Sequence, residues 1–290
     1  MLTNTYIICD FEWNFLPWRV NKACPNEIIE IGAIKTDASL NVIDTFSESI
    51  KPAIYRTLDK RVKRLTRFSE ADLEHGLGFP AAVKQFRDWM THDQEVPTIC
   101  TFGSADISIL KQNWRFYYPE SSELPWLNRY VNLQEYLDMV EDGKQLSLQA
   151  CALSCGVEVD ENDLHRALGD TYLLLGILKK RFDADKMNLF TIDGNADALG
   201  GSEFVTDEGE LDPKKTRQRC PDCGRYLKQL SGWKQQFNRF VAKFGCTSCS
   251  RNFTGRLTVK RHRITGNVHY RSKLEAVGEK KEADLGRRVE

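Results

Sequence analysis

Short apolar runs alternate with segments of three-to-four-residue hydrophobic period through the first ~185 residues, the rhythm of strands and helices in an α/β layer fold. Thr5 to Cys9, Ile28 to Lys35 and Phe46 to Ile50 read as strands, the third stopped by Pro52. Their short connections predict antiparallel neighbours. Pro80 marks a helix start, around which Phe79, Val83, Phe86 and Met90 form one apolar stripe. A further strand, Thr98 to Phe102, ends at Gly103, and Ile107, Leu110, Trp114 and Tyr117 then make a second helical stripe. Leu146 to Cys155 is a short helix closed by Gly156. Arg166 to Phe182 is a long one, with Leu168, Tyr172, Leu175, Leu178 and Phe182 expected to face inward.

Beyond that helix the periodicity dissolves. Asp193 to Pro213 holds seven acids, glycines at 194, 200, 201 and 209, and no Lys or Arg, which reads as a solvated linker. The predicted organisation is a catalytic-sized domain over residues 1–185, an acidic linker over 186–215, a small basic domain over 216–265 and a charged, disordered tail over 266–290.

With 41% hydrophobic and 28% charged residues among 290, the chain can bury a large core and is not wholly disordered. No apolar stretch approaches the ~18–20 residues of a membrane span, and no basic leader precedes Asp10, so a soluble, cytoplasmic protein is expected. The net charge of zero hides a polarity: Lys214 to Lys273 carry 16 basic residues against the single acid Asp222, whereas Met1 to Pro213 hold 21 basic and 35 acidic ones. A block this basic attracts polyanions, of which nucleic acid is the commonest. An acidic first domain acting on the same partner needs metal ions to meet the phosphates.

Five of the nine cysteines, Cys9, Cys24, Cys100, Cys151 and Cys155, lie in stretches that read as buried strand or helix and behave as small apolar residues. The other four form two pairs, Cys220/Cys223 and Cys246/Cys249, separated by 22 residues. This is the spacing of a four-thiolate Zn²⁺ site in a reducing compartment.

Three acidic features share the first domain. Asp10 and Glu12 stand at i and i+2 of a strand, so both carboxylates project to one face; by itself such a pair also marks a solvated strand face. Asp106 follows Gly103 at a strand end, where it either serves a site or caps its helix. In Leu164-His165-Arg166-Ala167-Leu168-Gly169-Asp170, His165 and Asp170 can face one site only if His165 sits in the loop before the helix. Four carboxylates and a neutral imidazole suit two hard divalent cations, with His165 as general base in phosphodiester hydrolysis.

These residues resemble the DEDDh 3′-to-5′ exonucleases: Asp10 and Glu12 match the family's first motif, Gly103 to Asp106 its second, and HRALGD, with His165 and Asp170, its third. The resemblance covers roughly residues 5 to 182 and is nearest to the subgroup that trims RNA 3′ ends, including the histone-mRNA exonucleases. It implies a ribonuclease H-like fold with a mixed five-stranded sheet flanked by helices, and two Mg²⁺ or Mn²⁺ ions held by Asp10, Glu12, Asp106 and Asp170. It also implies a terminal-nucleotide pocket drawing on Phe11, Glu12, Trp13, Phe68 and His165. Two departures stand in that pocket: Trp13 replaces a small or hydroxyl residue, and Leu65-Thr66-Arg67-Phe68 stands where relatives carry Leu-Thr-Gly-Ile. Trp13 and Phe68 either stack on bases or pack internally.

The basic block resembles a zinc ribbon, unfolded without its metal. Trp233, Phe237, Phe240 and Phe244 alternate there with Lys234, Arg239 and Lys243; some build the small core and the rest suit a phosphate track with stacking platforms. Lys260-Arg261-His262-Arg263 extends that track or, in a eukaryote, serves as a nuclear address. The expected protein is a metal-dependent 3′-to-5′ exonuclease acting on single-stranded nucleic acid, RNA favoured over DNA, with no membrane partner. A DNA trimmer and a silent nucleic-acid-binding adaptor are the alternatives.

Overall fold

The structure, a computed structural model, describes residues 5–15, 24–92, 96–121, 123–141, 144–160, 164–196, 199 and 201–277. It divides into two compact units, Met1–Gly200 and Gly201–Glu290.

The first unit opens with β1 (Tyr6–Asn14), β2 (Glu27–Thr36) and β3 (Val42–Ser49), an antiparallel meander. Three helices follow, α1 (Lys60–Thr66), α2 (Glu70–Leu73) and α3 (Phe79–Met90). Next, β4 (Thr98–Thr101) joins β1 in parallel, and α4 (Ala105–Tyr117) leads to β5 (Tyr130–Asn132), parallel to β4. After α5 (Leu133–Leu137) and the small hairpin of β6 (Val140–Glu141) and β7 (Lys144–Gln145) come α6 (Leu148–Ser154), α7 (Ala167–Arg181) and α8 (Ala184–Phe190). The sheet runs β3-β2-β1-β4-β5. This is the mixed five-stranded sheet flanked by helices that the resemblance implied.

Alternation along β1 sorts its side chains. Ile7, Cys9 and Phe11 enter the main core with Phe86 of α3 and Leu110 of α4, while Asp10 and Glu12 point to the opposite face, across from Gly32 and Glu30 of β2. The strand carries both acids, as their spacing predicted, and runs on to Asn14. A bulge between Glu12 and Trp13 ends the regular register.

Helix α7 lies against β1 and β2 on one side and α6 on another. That double contact overturns the single inward stripe expected for it. Leu173, Leu174 and Ile177 are buried along with Leu175 and Leu178, whereas Tyr172 is 49% exposed and Leu168 only half-buried. Cys24, expected in a buried element, sits half-buried in a bend before β2.

The first unit runs past residue 185: Phe190 is buried and Ile192 bridges Tyr130. Part of the expected linker is ordered as β8 (Ser202–Phe204), which pairs with β12 (Asn252–His262) of the second unit. That unit also holds β9 (Lys228–Gln229), β10 (Lys234–Gln236), β11 (Arg239–Gly245) and β13 (Val268–Ala276) in one six-stranded sheet around the β10-β11-β12-β13 path. β13 corrects the expectation of a disordered tail: it pairs with β12 over nine positions and adds Leu274 and Ala276 to the core. Residues 278–290, and positions 197, 198 and 200 of the expected linker, lie outside the described residues. No helix among the described residues is long and apolar enough to cross a membrane.

Candidate active site and thiolate centre

Carboxylate oxygens of Asp10, Glu12 and Asp170 all lie within 4.8 Å of one another. Two come from alternate positions of β1 and the third from the first turn of α7. Asp106, buried in the first turn of α4, stands beside this trio, and its Oδ1 accepts the Phe11 N–H at 3.1 Å. It makes no side-chain cap; the N-cap of α4 is Ser104. The same β1 backbone thus displays Asp10 and Glu12 and anchors Asp106.

His165 precedes α7 by two residues, with Arg166 as N-cap, and its backbone takes the left-handed conformation, φ 61°. Its N–H donates to Asp170 Oδ2 at 3.1 Å and its side chain is exposed. The left-handed backbone at His165 brings its N–H onto Asp170 across the helix entry.

Burial and mutual repulsion push these four carboxyls upward. Asp10 is raised far above the carboxylate range by burial and then by Asp106, Glu12 and Asp170. Glu12 is pushed to about 8 by burial and by Asp170 and Glu30, against the opposing pull of Arg166. Asp106 rises to about 7 through burial, although the Phe11 N–H favours its anion. Asp170 is raised by burial and eased by His165. A cluster of oxygen ligands whose charges are this poorly compensated fits hard divalent cations such as Mg²⁺ or Mn²⁺.

A residue missed by sequence reasoning completes the surroundings. Glu30 of β2, its side chain 2% exposed, receives Arg166 Nη2 at 2.8 Å and Nε at 3.1 Å on Oε1, and the Ala167 N–H at 2.9 Å on Oε2. It is a fifth acid at the site, but a paired one: it ties the start of α7 to β2 and so places His165 and Asp170. The available signal was a glutamate inside the otherwise apolar strand IIEIGAIK. Arg166 had no evident role in the sequence; here it bonds Glu30 and lies 4.4 Å over the Phe68 ring.

The aromatic residues expected in a nucleotide pocket pack inward. Phe11 is 1% exposed and meets Phe86 edge-on in the core, because strand alternation turns it away from Asp10 and Glu12. Trp13 packs against the same core. Phe68 is buried with Ile29, Leu58, Val62 and Leu73, and its open face is taken by Arg166. Of that expected set, Glu12 lies in the carboxylate cluster and His165 meets Asp170 through its N–H. Arg67, where relatives carry glycine, adopts φ 61° as the C-cap of α1, so the backbone turn persists without the glycine.

In the second unit the Sγ atoms of Cys220, Cys223, Cys246 and Cys249 also lie within 4.8 Å of one another, with Cys223 and Cys246 at 3.6 Å. Two matching knuckles present them: the Cys220 N–H donates to Arg225 O and the Cys246 N–H to Arg251 O, each at 2.8 Å. Left-handed residues follow both, Gly224 at φ 72° and Ser250 at φ 52°. Arg251 to Asp222 at 3.2 Å and Arg225 to Ser248 at 2.7 Å join one knuckle to the other. The Cys249 N–H holds the Cys246 thiol down at about 7. Four soft donors in this arrangement fit one tetrahedral Zn²⁺ with no open position.

The family model described as Exonuclease matches residues 7–178. The probable 3′-5′ exonuclease KapD of Bacillus subtilis (strain 168) is 29% identical over 126 residues, which cover 40% of this chain and 56% of that protein. The chain therefore spans about half the length of that curated relative. Among solved structures, the nuclease domain of 3′hExo, a DEDDh family member bound to rAMP, is 20% identical with a TM-score of 0.53, covering 61% of this chain and 91% of that one. A 3′-exonuclease in 3′-end-specific recognition of a histone mRNA stem-loop is 19% identical, TM-score 0.52, covering 62% and 65%. Cell-death related nuclease 4 is 17% identical, TM-score 0.52, covering 62% and 64%.

Proposed function

The chain belongs to the exonuclease family, and from that premise we propose that it releases nucleoside 5′-monophosphates one at a time from the 3′ end of single-stranded RNA. The observation that carries this reading is the convergence of Asp10, Glu12 and Asp170 within 4.8 Å, with Asp106 alongside. Those four side chains would hold two Mg²⁺ or Mn²⁺ ions. Bound there, such ions would offset the charge of the scissile phosphate and of the departing oxygen.

The protein's own groups do the rest. His165, exposed at the helix entry, accepts the proton of the attacking water, the part an imidazole plays in general-base catalysis. Its N–H holds Asp170 in place, and the Glu30–Arg166 pair holds the turn that carries both. Asp106 is oriented by the Phe11 N–H. Cys220, Cys223, Cys246 and Cys249 would hold one structural Zn²⁺, and the basic second unit attracts the nucleic acid. RNA is the preferred substrate in this reading, supported by solved relatives bound to rAMP and to an mRNA stem-loop.

Incubation with 5′-labelled RNA and DNA strands, with and without chelator, tests it. A ladder shortening stepwise from the 3′ end, faster on RNA and absent with chelator, is expected. Internal cuts would overturn the exonuclease reading, and equal rates on DNA would overturn the RNA preference.

A further inference from the structure

The β10–β11 hairpin carries an anomaly. Phe237, in the two-residue turn between Gln236 and Arg239, is 90% exposed and sits at φ 54°. A non-glycine aromatic in the left-handed region is a costly choice, and Asn or Gly serves such turns better. Phe237 recovers none of that cost by packing. Trp233, Phe240 and Phe244, its neighbours in sequence, form the core, so Phe237 alone of the four is displayed.

The sheet behind this tip is sorted by charge. On β11 and β12, core positions are Phe240, Phe244, Phe253, Leu257 and Val259. The alternate positions turn outward and carry Arg239 and Lys243 on β11 and Arg256 and Lys260 on β12. Register extends that face to β13, where Lys273 lies opposite Arg256 and Arg271 opposite Thr258. Among the described residues the acid on this face is Glu275, which meets Arg256 at 3.1 Å and Lys273 at 3.3 Å. Thr254 and Thr258 separate the cations, leaving a flat strip with hydrogen-bonding groups. Phe204 of β8, opposite Lys260 in the register, adds a second ring, with the Lys260 ammonium 4.9 Å from its centre. The run Lys260 to Arg263 is not itself a track: Arg261 falls on the other side of the strand and is held by Glu203 and Glu210.

We propose that this outward face of the β10–β13 sheet is a docking surface for the backbone of single-stranded nucleic acid, with Phe237 at the hairpin tip stacking on a base. The identity of the polyanion rests on the exonuclease reading above. Charge complementarity argues for the backbone, since salt-dependent phosphate contacts supply sequence-independent affinity. Two separate rings, Phe237 and Phe204, on a cationic strip fit base platforms better than a lipid surface.

The test uses the full chain with Asp10→Asn to prevent cleavage, and measures anisotropy of labelled 20-nucleotide RNA and DNA strands over a salt series. Reversing Lys243, Lys260 and Arg271 together to Glu is expected to flatten the log–log salt slope by about 2, at ~0.7 per lost single-strand contact. Reversing Lys214, Lys215 and Arg217, which lie off the sheet, is expected to change it much less. Phe237→Asn is expected to weaken binding about five-fold or more, the effect of losing one stacked base, while melting at or above the parent temperature because Asn tolerates the left-handed turn. A stability gain combined with an affinity loss cannot come from misfolding.

Unchanged affinity in both face variants overturns the docking surface, and cleavage of a trinucleotide by the unmutated chain tells whether the exonuclease reading survives. Loss of binding in those variants, in a chain that cleaves no nucleic acid, would uphold the surface and sink the nuclease reading. Phosphatidylserine vesicles that bind through the same lysines, with no binding of either strand, would overturn it in favour of a membrane surface.

Discussion

A Cβ placed on Gly32 would stand 2.2 Å from the carbonyl carbon of Ala167 and 2.2 Å from the amide nitrogen of Leu168. The first turn of α7 is thus seated directly on β2, beside the register position of Asp10. Thr171 packs at the same contact, its hydroxyl donating to Ala167 O at 2.6 Å with its oxygen 3.3 Å from Gly32 O. Gly32→Ala therefore displaces the turn that carries His165 and Asp170. We expect a loss of about 1–3 kcal/mol from overpacking against backbone, and a fall in cleavage larger than the unfolded fraction explains. Urea unfolding and cleavage rates well below the transition measure the two; full activity in a stable variant would contradict the linkage.

Glu30→Gln keeps the shape of the buried group but removes its charge from Arg166. Partners that orient a ligand set typically alter affinity or activity 10–100-fold, and a loss of about that size is expected in both Mn²⁺ affinity and cleavage. Far-UV circular dichroism should stay unchanged. A variant with wild-type metal affinity would show that Glu30 serves stability only.

The raised carboxyls make metal binding depend on pH with a definite sign. Glu12 titrates at about 8 in the folded chain, above its ordinary 4.5, so the folded state holds the proton more tightly than the unfolded one. Its contribution to the stability of the metal-free chain is full below pH 4.5 and is lost as pH rises through about 8. Cations compete with those protons, so Mn²⁺ affinity should increase over the same interval, with proton release at pH 7. Calorimetry in two buffers of different ionisation enthalpy counts the protons, and zero release would refute the shifted carboxyls.

With Zn²⁺ held as proposed by the four thiolates, its removal should unfold the second unit. Cys220, Cys246 and the half-buried Cys249 are part of the core or packed against it, and structural zinc sites contribute about 10–16 kcal/mol of apparent binding free energy. Cys246→Ala should bring zinc content to near zero and collapse the tertiary signal of Trp233. A folded, zinc-free unit would contradict this.

Much of the fold was legible because the residues that build it repeat with a period. The Phe79 and Ile107 stripes, the buried run of β2 and the paired cysteines each encode their element locally. The acids were legible through their order and the distinctive His165-to-Asp170 segment. What escaped depended on partners distant in sequence. Glu30 gains meaning only when Arg166 meets it, Phe68 is covered by that same arginine, and Tyr172 is exposed because α7 is gripped from two sides. β13 was missed although Val268, Tyr270, Leu274 and Ala276 alternate with His269, Arg271, Lys273 and Glu275 at the strand period, because the charges around them read as a solvated tail.

Asp10→Asn, assayed on 5′-labelled RNA in Mg²⁺ with the zinc site intact, is the most direct test of the carboxylate cluster as the cleavage site. Relieving the repulsion that raises Asp10 should leave the melting temperature at pH 8 equal or higher. Release of 5′-monophosphates should meanwhile drop about 10³-fold or more. A folded variant that retains a tenth or more of the wild-type rate would contradict it.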